Sequence, residues 1–265
     1  MSFEPTNDFL ADVAAGKVNG YSMMQKFGHN NNPATASLVD VNILNTNHIW
    51  LQAADRIDIV STSADDNPSA LGAHRITVEG LDGSFDPLIE EIAMNTGDGT
   101  VAVTTVGSFI RVHRMYVSQS GTYGGTGSPS HLGTITASTF SGSVDQIQIP
   151  ITNIAVGQSQ CARYTIPNGF TGILVGYSIT VDSGKDADIY LFQRQIADDV
   201  TSSYQGTMRM VFVDDGVTGQ MERARGLLCQ SFPEKTDIWA AVQAAASNSR
   251  VSVDFTLLLI DNNYI

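Results

Sequence analysis

The run over residues 72–117, GAHRITVEGLDGSFDPLIEEIAMNTGDGTVAVTTVGSFIRVHRMYV, leaves a chain of this kind few ways to fold. Arg75-Ile76-Thr77-Val78-Glu79 alternates polar and apolar residues, the period-2 pattern of a half-buried strand. Leu81-Asp82-Gly83-Ser84 is turn chemistry, because Gly83 accepts positive φ and Asp82 can bond its own backbone. Residues 88–94 read as the next extended segment, and Asn95-Thr96-Gly97-Asp98-Gly99 turns the chain again. Residues 101–105 and 109–117 follow as strands joined at 106–108. Short strands separated by Gly, Asp and Asn turns build an antiparallel β-sandwich, here expected over residues 48–142 with 48–51 and 56–60 as its opening strands.

The same logic gives a second sandwich over residues 143–265. Residues 250–260 alternate most cleanly, with Val251, Val253, Phe255, Leu257 and Leu259 on one face. Residues 171–181 place Ile173, Val175, Tyr177 and Ile179 on one face, with Gly172, Gly176 and Ser178 opposite. Residues 144–155, 187–196, 208–213 and 221–232 add further strands, and Asp214-Asp215-Gly216 reads as a turn. Some eight strands at this spacing fit a jelly-roll-like sandwich. Leu257-Leu258-Leu259-Ile260 is apolar on both faces, so it needs cover on both sides, from another subunit or from the N-terminal segment.

Residues 1–47 read as an N-terminal extended arm. Asn7 or Thr6 is placed to cap a short helix over 8–15, with Gly16 ending it. Residues 20–32 show little periodicity but carry apolar anchors. Phe9, Leu10, Tyr21, Met24 and Phe27 are the arm residues expected to dock, either on the chain's own domains or on a neighbouring subunit. The fold class is therefore all-β: an arm with a short helix, then two antiparallel sandwiches.

Charge narrows the function. The formal net charge is −13, which argues against binding nucleic acid or an anionic membrane surface. No segment has the ~18 apolar residues of a membrane span, and the N-terminus lacks the pattern of a secretory signal. Cys161 and Cys229 are too far apart to read as a zinc site or a disulfide framework. The five histidines, His29, His48, His74, His113 and His131, form no HExxH pair and adjoin no GxSxG motif. Glu90/Glu91, Asp198/Asp199 and Asp214/Asp215 are sequence neighbours, which point to opposite faces of a strand and so make no acid–base couple by themselves. Asp65-Asp66-Asn67 lacks the terminal Glu of a calcium loop and reads as a solvated turn. The Gly-rich loop at 118–129 has no following Lys or helix to hold phosphate. The expectation is no catalytic residue, no cofactor and no metal.

One resemblance adds to this. ITVEGLDGSFDPLIEEIAMN…VAVTTVGSFIRVHRMYV, preceded by Lys26-Phe27-Gly28-His29-Asn30 and followed by Phe232-Pro233-Glu234-Lys235-Thr236-Asp237-Ile238, resembles a family of tailed-bacteriophage virion structural proteins of the marine and cyanophage type. The landmarks occur in the family's order and cover most of the chain. The resemblance implies a non-enzymatic virion component made in the host bacterial cytoplasm. Capsid decoration or cement is the first reading. A tail, baseplate or fibre-adaptor part is the second, and a host-glycan-binding module the third. Implied partners are the major capsid protein or tail proteins, and further copies of the chain. A trimer is favoured by analogy with the symmetry of such particles.

Overall fold

Side-chain alternation decides which strands share a core, and the two cores of this chain are not consecutive in sequence. The computed structural model describes residues 8–125, 128–151, 156–223 and 230–265. It divides into two compact units, Asn42–Cys161 and Met1–Val41 with Ala162–Ile265. One unit is thus inserted into the other. The sequence reading placed the boundaries at 47/48 and 142/143 instead.

The chain begins with α1 (Phe9–Ala14), capped by Asp8, whose carboxylate accepts from Leu10 N at 3.1 Å and Ala11 N at 3.4 Å. Thr6 and Asn7, the caps read from sequence, lie outside the described residues. Gly16, at φ +69°, ends the helix as expected. Next come β1 (Tyr21–Asn30) and β2 (Val39–Asp40).

The inserted unit contains β3 (Asp55–Ser61), β4 (Ala73–Leu81), β5 (Pro87–Ala93), β6 (Val103–Phe109), β7 (Arg111–Ser120), β8 (Ile135–Thr139) and β9 (Asp145–Ile149). They form two antiparallel sheets, β6-β3-β8-β9 and β5-β4-β7. Ile57, Ile59, Ile76, Val78, Phe109, Met115, Ile135 and Ile147 meet between them. Each such side chain contributes about 1.5–3 kcal/mol on burial. The β8–β9 hairpin belongs here because Ile135, Ala137, Ile147 and Ile149 feed this core. That moves the boundary from 142 to 161.

Residues 48–51, expected as a strand, lie outside any strand ladder. Their place is set by Arg111, which is 1% exposed. Its Nη1 donates to the Leu51 and Ile110 carbonyls at 2.8 Å, and its guanidinium lies 5.1 Å from the Trp50 ring.

The outer unit adds β10 (Arg163–Thr165), β11 (Phe170–Val181), β12 (Ala187–Arg194), β13 (Met208–Val217), β14 (Gln220–Arg223), β15 (Gln230–Phe232), β16 (Asp237–Ala244) and β17 (Val251–Asp261). One sheet runs β1-β17-β11-β14, with β15 also on β11. The other runs β10-β16-β12-β13, with β2 on β16. From β10 onward the chain passes repeatedly between the two sheets, as in a jelly roll. Leu174, Tyr177, Ile179, Leu191, Val242, Val253, Phe255 and Leu257 fill the interior.

Two local readings change. β13 continues through Asp214-Asp215-Gly216, read from sequence as a turn, because Asp214 faces inward and takes the Tyr177 hydroxyl hydrogen bond. β11 has a bulge between Leu174 and Gly176. The extra residue turns Ile173 and Val175 to the outer face, while Leu174, Tyr177 and Ile179 go inward. The four residues read as sharing one face are therefore split. Among the described residues no helix is long and apolar enough to cross a membrane.

Candidate functional site

The arm residues fold back on their own unit. β1 pairs with β17 over ten residues, from Tyr21↔Ile260 to Asn30↔Val251. Directly opposite residues share a face. Met24 packs on the interior, as do the inward positions Lys26 and Gly28 along the same strand. Tyr21 and Met23 face outward beside Leu258 and Ile260. α1 lies over this outward patch through Val13 and Leu10, and Phe9 meets Tyr21 edge-on at 5.4 Å between centroids. This explains the doubly apolar end of the chain. Leu257 and Leu259 face the core, while Leu258 and Ile260 are covered by α1 and β1 of the same chain.

Phe27, the fifth arm residue, sits elsewhere. It faces outward on β1, directly opposite Asp254. Beyond the α1 patch, the outer face of this sheet turns polar in three cross-strand rows. The first is Gln25–Thr256–Gly176, the second Phe27–Asp254–Ser178–Glu222, and the third His29–Ser252–Thr180–Gln220. Gln25, Thr256 and Gly176 of the first row and Asp254, Ser178 and Glu222 of the second, with Tyr177, line a hollow of about 320 Å³. Burial raises the Asp254 carboxyl above its ordinary value, and among the described residues no donor offsets this. In the third row the His29 Nδ1 lies 2.8 Å from Ser252 Oγ, and its Nε2 lies 2.8 Å from Asn31 Oδ1. The serine hydroxyl donates to the ring when the ring donates to the amide oxygen.

Sequence reasoning missed this face. Its signal was present in the polar half of β17, Ser252-Val-Asp254-Phe-Thr256, where a strand chosen for burial alternates with hydrogen-bonding residues. The face could not be assembled without knowing that β1, β11 and β14 lie beside it.

The other candidate residues serve the scaffold. Each carboxylate pair splits, Glu90/Glu91 by strand geometry in β5 and Asp198/Asp199 by the path of their loop. Glu90 accepts from Val106 N at 2.7 Å and Gly107 N at 2.8 Å, while Glu91 pairs with Arg75 at 2.6 Å. The Ser118 hydroxyl and the Arg75 guanidinium hold the Glu91 carboxyl below its ordinary value. Asp198 pairs with Lys235 at 2.9 Å, while Asp199 accepts from Thr201 N and Gln205 N. His74 Nε2 lies 2.7 Å from the Ala70 carbonyl, and His131 Nε2 lies 3.1 Å from that of Pro150. His48 packs edge-on against Trp50, and the His113 carbonyl accepts from Cys161 Sγ. Cys161 is a buried free thiol, and Cys229 lies outside the described residues.

Asp66 is fully buried rather than solvated. Its Oδ1 accepts from Ala73 N and Leu132 N, both at 2.8 Å. Its Oδ2 accepts from Ser61 Oγ at 2.5 Å and Gly133 N at 2.8 Å. Four inward donors fix this carboxylate as the tie between two loops.

One loop displays apolar side chains instead of burying them. Residues 195–206 close on themselves, because Gly206 approaches the Gln195 carbonyl more closely than any Cβ allows. Asp199 holds the loop's backbone from inside, and Ala197 N donates to the Lys235 carbonyl. The loop presents Ile196, Val200 and Tyr204 to solvent. It leads into the edge strand β13, where Met208 is 61% and Met210 55% exposed.

No known protein-family model matches the chain, and no curated protein matches it. Among solved structures it aligns with the VP2 subviral particle of infectious bursal disease virus at 12% identity and TM-score 0.22, over 92% of this chain and 73% of that one. It aligns with T=1 particles derived from the same virus at 10% identity and TM-score 0.22, over 92% and 71%. These values describe no superimposable arrangement.

Proposed function

We propose that the chain is a non-enzymatic structural protein of a tailed-bacteriophage particle that acts through assembly contacts, as a decoration or cement subunit of the capsid. The supporting observation is the preorganised apolar edge formed by the 195–206 loop and β13. On a loop closed by Gly206 and braced by Asp199, Val200 and Tyr204 are left exposed by the described residues, and a partner surface would bury them. An ordered apolar display of this kind suits an interface.

The segments that resemble the phage family support a scaffold role for the same residues. Lys26-Phe27-Gly28-His29-Asn30 lies in β1, which completes a sheet. Residues 75–94 form the β4–β5 hairpin. Phe232 enters the core fully buried, Glu234 accepts from Gly169 N at 2.6 Å, and Asp237 holds Thr165 Oγ1 at 2.7 Å and Arg194 Nη2 at 2.5 Å.

Particle partners are the major capsid protein or tail proteins, with the chain itself forming a homo-oligomer, a trimer by analogy. Quantitative mass spectrometry of purified particles tests the placement. Copies on the order of hundreds per particle support decoration, by the arithmetic of an icosahedral shell. A handful supports a tail or baseplate position. Absence from purified particles overturns the proposal.

A further inference from the structure

The α1 helix divides the outer face of the β1-β17-β11-β14 sheet into two halves with different chemistry. One half is apolar and already covered. The other is open and polar, and it holds the hollow of about 320 Å³. That volume is at the low end for a small-ligand site, enough for one compact group. Across its four strands the face spans about 14 Å, three inter-strand spacings of ~4.8 Å.

The groups around the hollow are of one kind. Gln25 supplies an amide, Ser178 and Thr256 hydroxyls, and Asp254 and Glu222 carboxylates. These accept and donate hydrogen bonds in several directions at short range. Gly176 contributes no side chain, which leaves the floor of the hollow open between Thr256 and the β14 side. Phe27 stands in the same row as Asp254 but does not line the hollow. Glu222 is oriented by Gln220, whose Nε2 donates to it at 2.8 Å. Asp254 is half-buried beside the hollow, and no described residue donates to it, so a ligand hydroxyl or ammonium would meet a partly desolvated acceptor. Among the described residues no Lys or Arg lines the hollow.

We infer that this hollow binds a hydroxyl-rich ligand, a neutral or amino pyranose sugar, through Asp254, Thr256, Ser178 and Gln25. Two carboxylates, with no cation among the described lining residues, disfavour uronic and sialic acids by repulsion. The site is independent of the particle reading. A chain absent from particles can still bind the sugar, and a particle subunit can fail to.

The test is titration of the full chain with pyranosides, followed by saturation-transfer difference NMR and calorimetry. The probes are the methyl glycosides of glucose, galactose and mannose, then N-acetylglucosamine, glucosamine and glucuronate. Saturable binding of at least one neutral or amino sugar is expected, with none for glucuronate. Asp254→Ala and Ser178→Ala each weaken it about tenfold or more without moving the thermal midpoint by more than a few degrees. Both side chains face outward, so the fold tolerates their loss. If either variant loses stability, Thr256→Trp, which fills the hollow from outside, abolishes binding in its place. Three outcomes overturn the inference: no pyranoside saturates, glucuronate binds as well as glucose, or the variants bind like the parent chain.

Discussion

Replacing Asp66 is the sharpest test of how the inserted unit is held together. The side chain is fully buried and accepts four hydrogen bonds, three of them from the backbone N–H groups of Ala73, Leu132 and Gly133. In Asp66→Ala, Ser61 can rotate its hydroxyl to another acceptor, but the three N–H groups cannot turn. An orphaned buried donor costs roughly 1–3 kcal/mol, so the loss is roughly 3–9 kcal/mol. That is a large part of the 5–15 kcal/mol typical of a whole domain. Asp66→Asn keeps one oxygen for Ala73 and Leu132 but turns an NH₂ toward Gly133 N. It loses one backbone bond and the charge on the others, about 2–4 kcal/mol. Ser61→Ala removes a single donor and costs about 1 kcal/mol. Urea denaturation reads the series, because the chain has two tryptophans, Trp50 in the inserted unit and Trp239 in the outer one. With Trp239→Phe as background, Trp50 fluorescence should show the order Ala, Asn, Ser61→Ala from most to least destabilised. The reasoning fails if Asp66→Ala costs no more than Ser61→Ala, or if calcium restores the variant's stability.

Three other outcomes follow from the same structure. Val13, 3% exposed, is the buried contact of α1 on the Leu258–Ile260 patch. Val13→Ala should cost about 1.5 kcal/mol at ~0.8 kcal/mol per buried CH₂, and Val13→Asp should free the helix and raise binding of a hydrophobic dye. Asp254 has a folded pKa raised above the ordinary 3.8 by burial, so the folded state binds its proton more tightly and stability falls as pH rises from 3.8 through the raised value. Asp254→Asn should therefore stabilise the chain at pH 7 and change nothing at pH 3, as read by thermal midpoints. Asp182 is held below its ordinary value chiefly by the hydrogen bond from Arg250. Arg250→Ala should move its titration back up, measured by carboxyl ¹³C shifts. Acid loss of that contribution should begin as pH falls through 3.8 in the parent chain and be smaller in the variant, where the backbone N–H of residue 250 still donates to Asp182.

The strands and turns around residues 72–117 could be read from sequence because each rests on local chemistry. β4 and β5 follow from alternation, and the turn between them from Asp82 and Gly83. β17 was equally plain, since its inward positions are all apolar. β1 was not. Its inward residues include Lys26, Gly28 and Asn30, so a genuine period-2 strand shows no hydrophobic alternation. Its partner β17 lies more than two hundred residues away, and local patterns carry no record of such pairings. The inserted arrangement depends on that pairing, so the domain limits could not be read either. The bulge in β11 was silent for another reason. Ile173-Leu174-Val175 is apolar in every position, so nothing in the sequence marks where the face changes. The polar hollow inherits all three difficulties, because its walls come from β1, β11, β14 and β17.

The account stands on assembly through the apolar edge, and cryo-electron microscopy of intact particles tests it most directly. It predicts repeated density for this subunit, with Val200, Tyr204, Met208 and Met210 buried against a neighbouring subunit and α1 over its own sheet. Subunit density with that edge facing open solvent, or particles in which the subunit is missing, would contradict it.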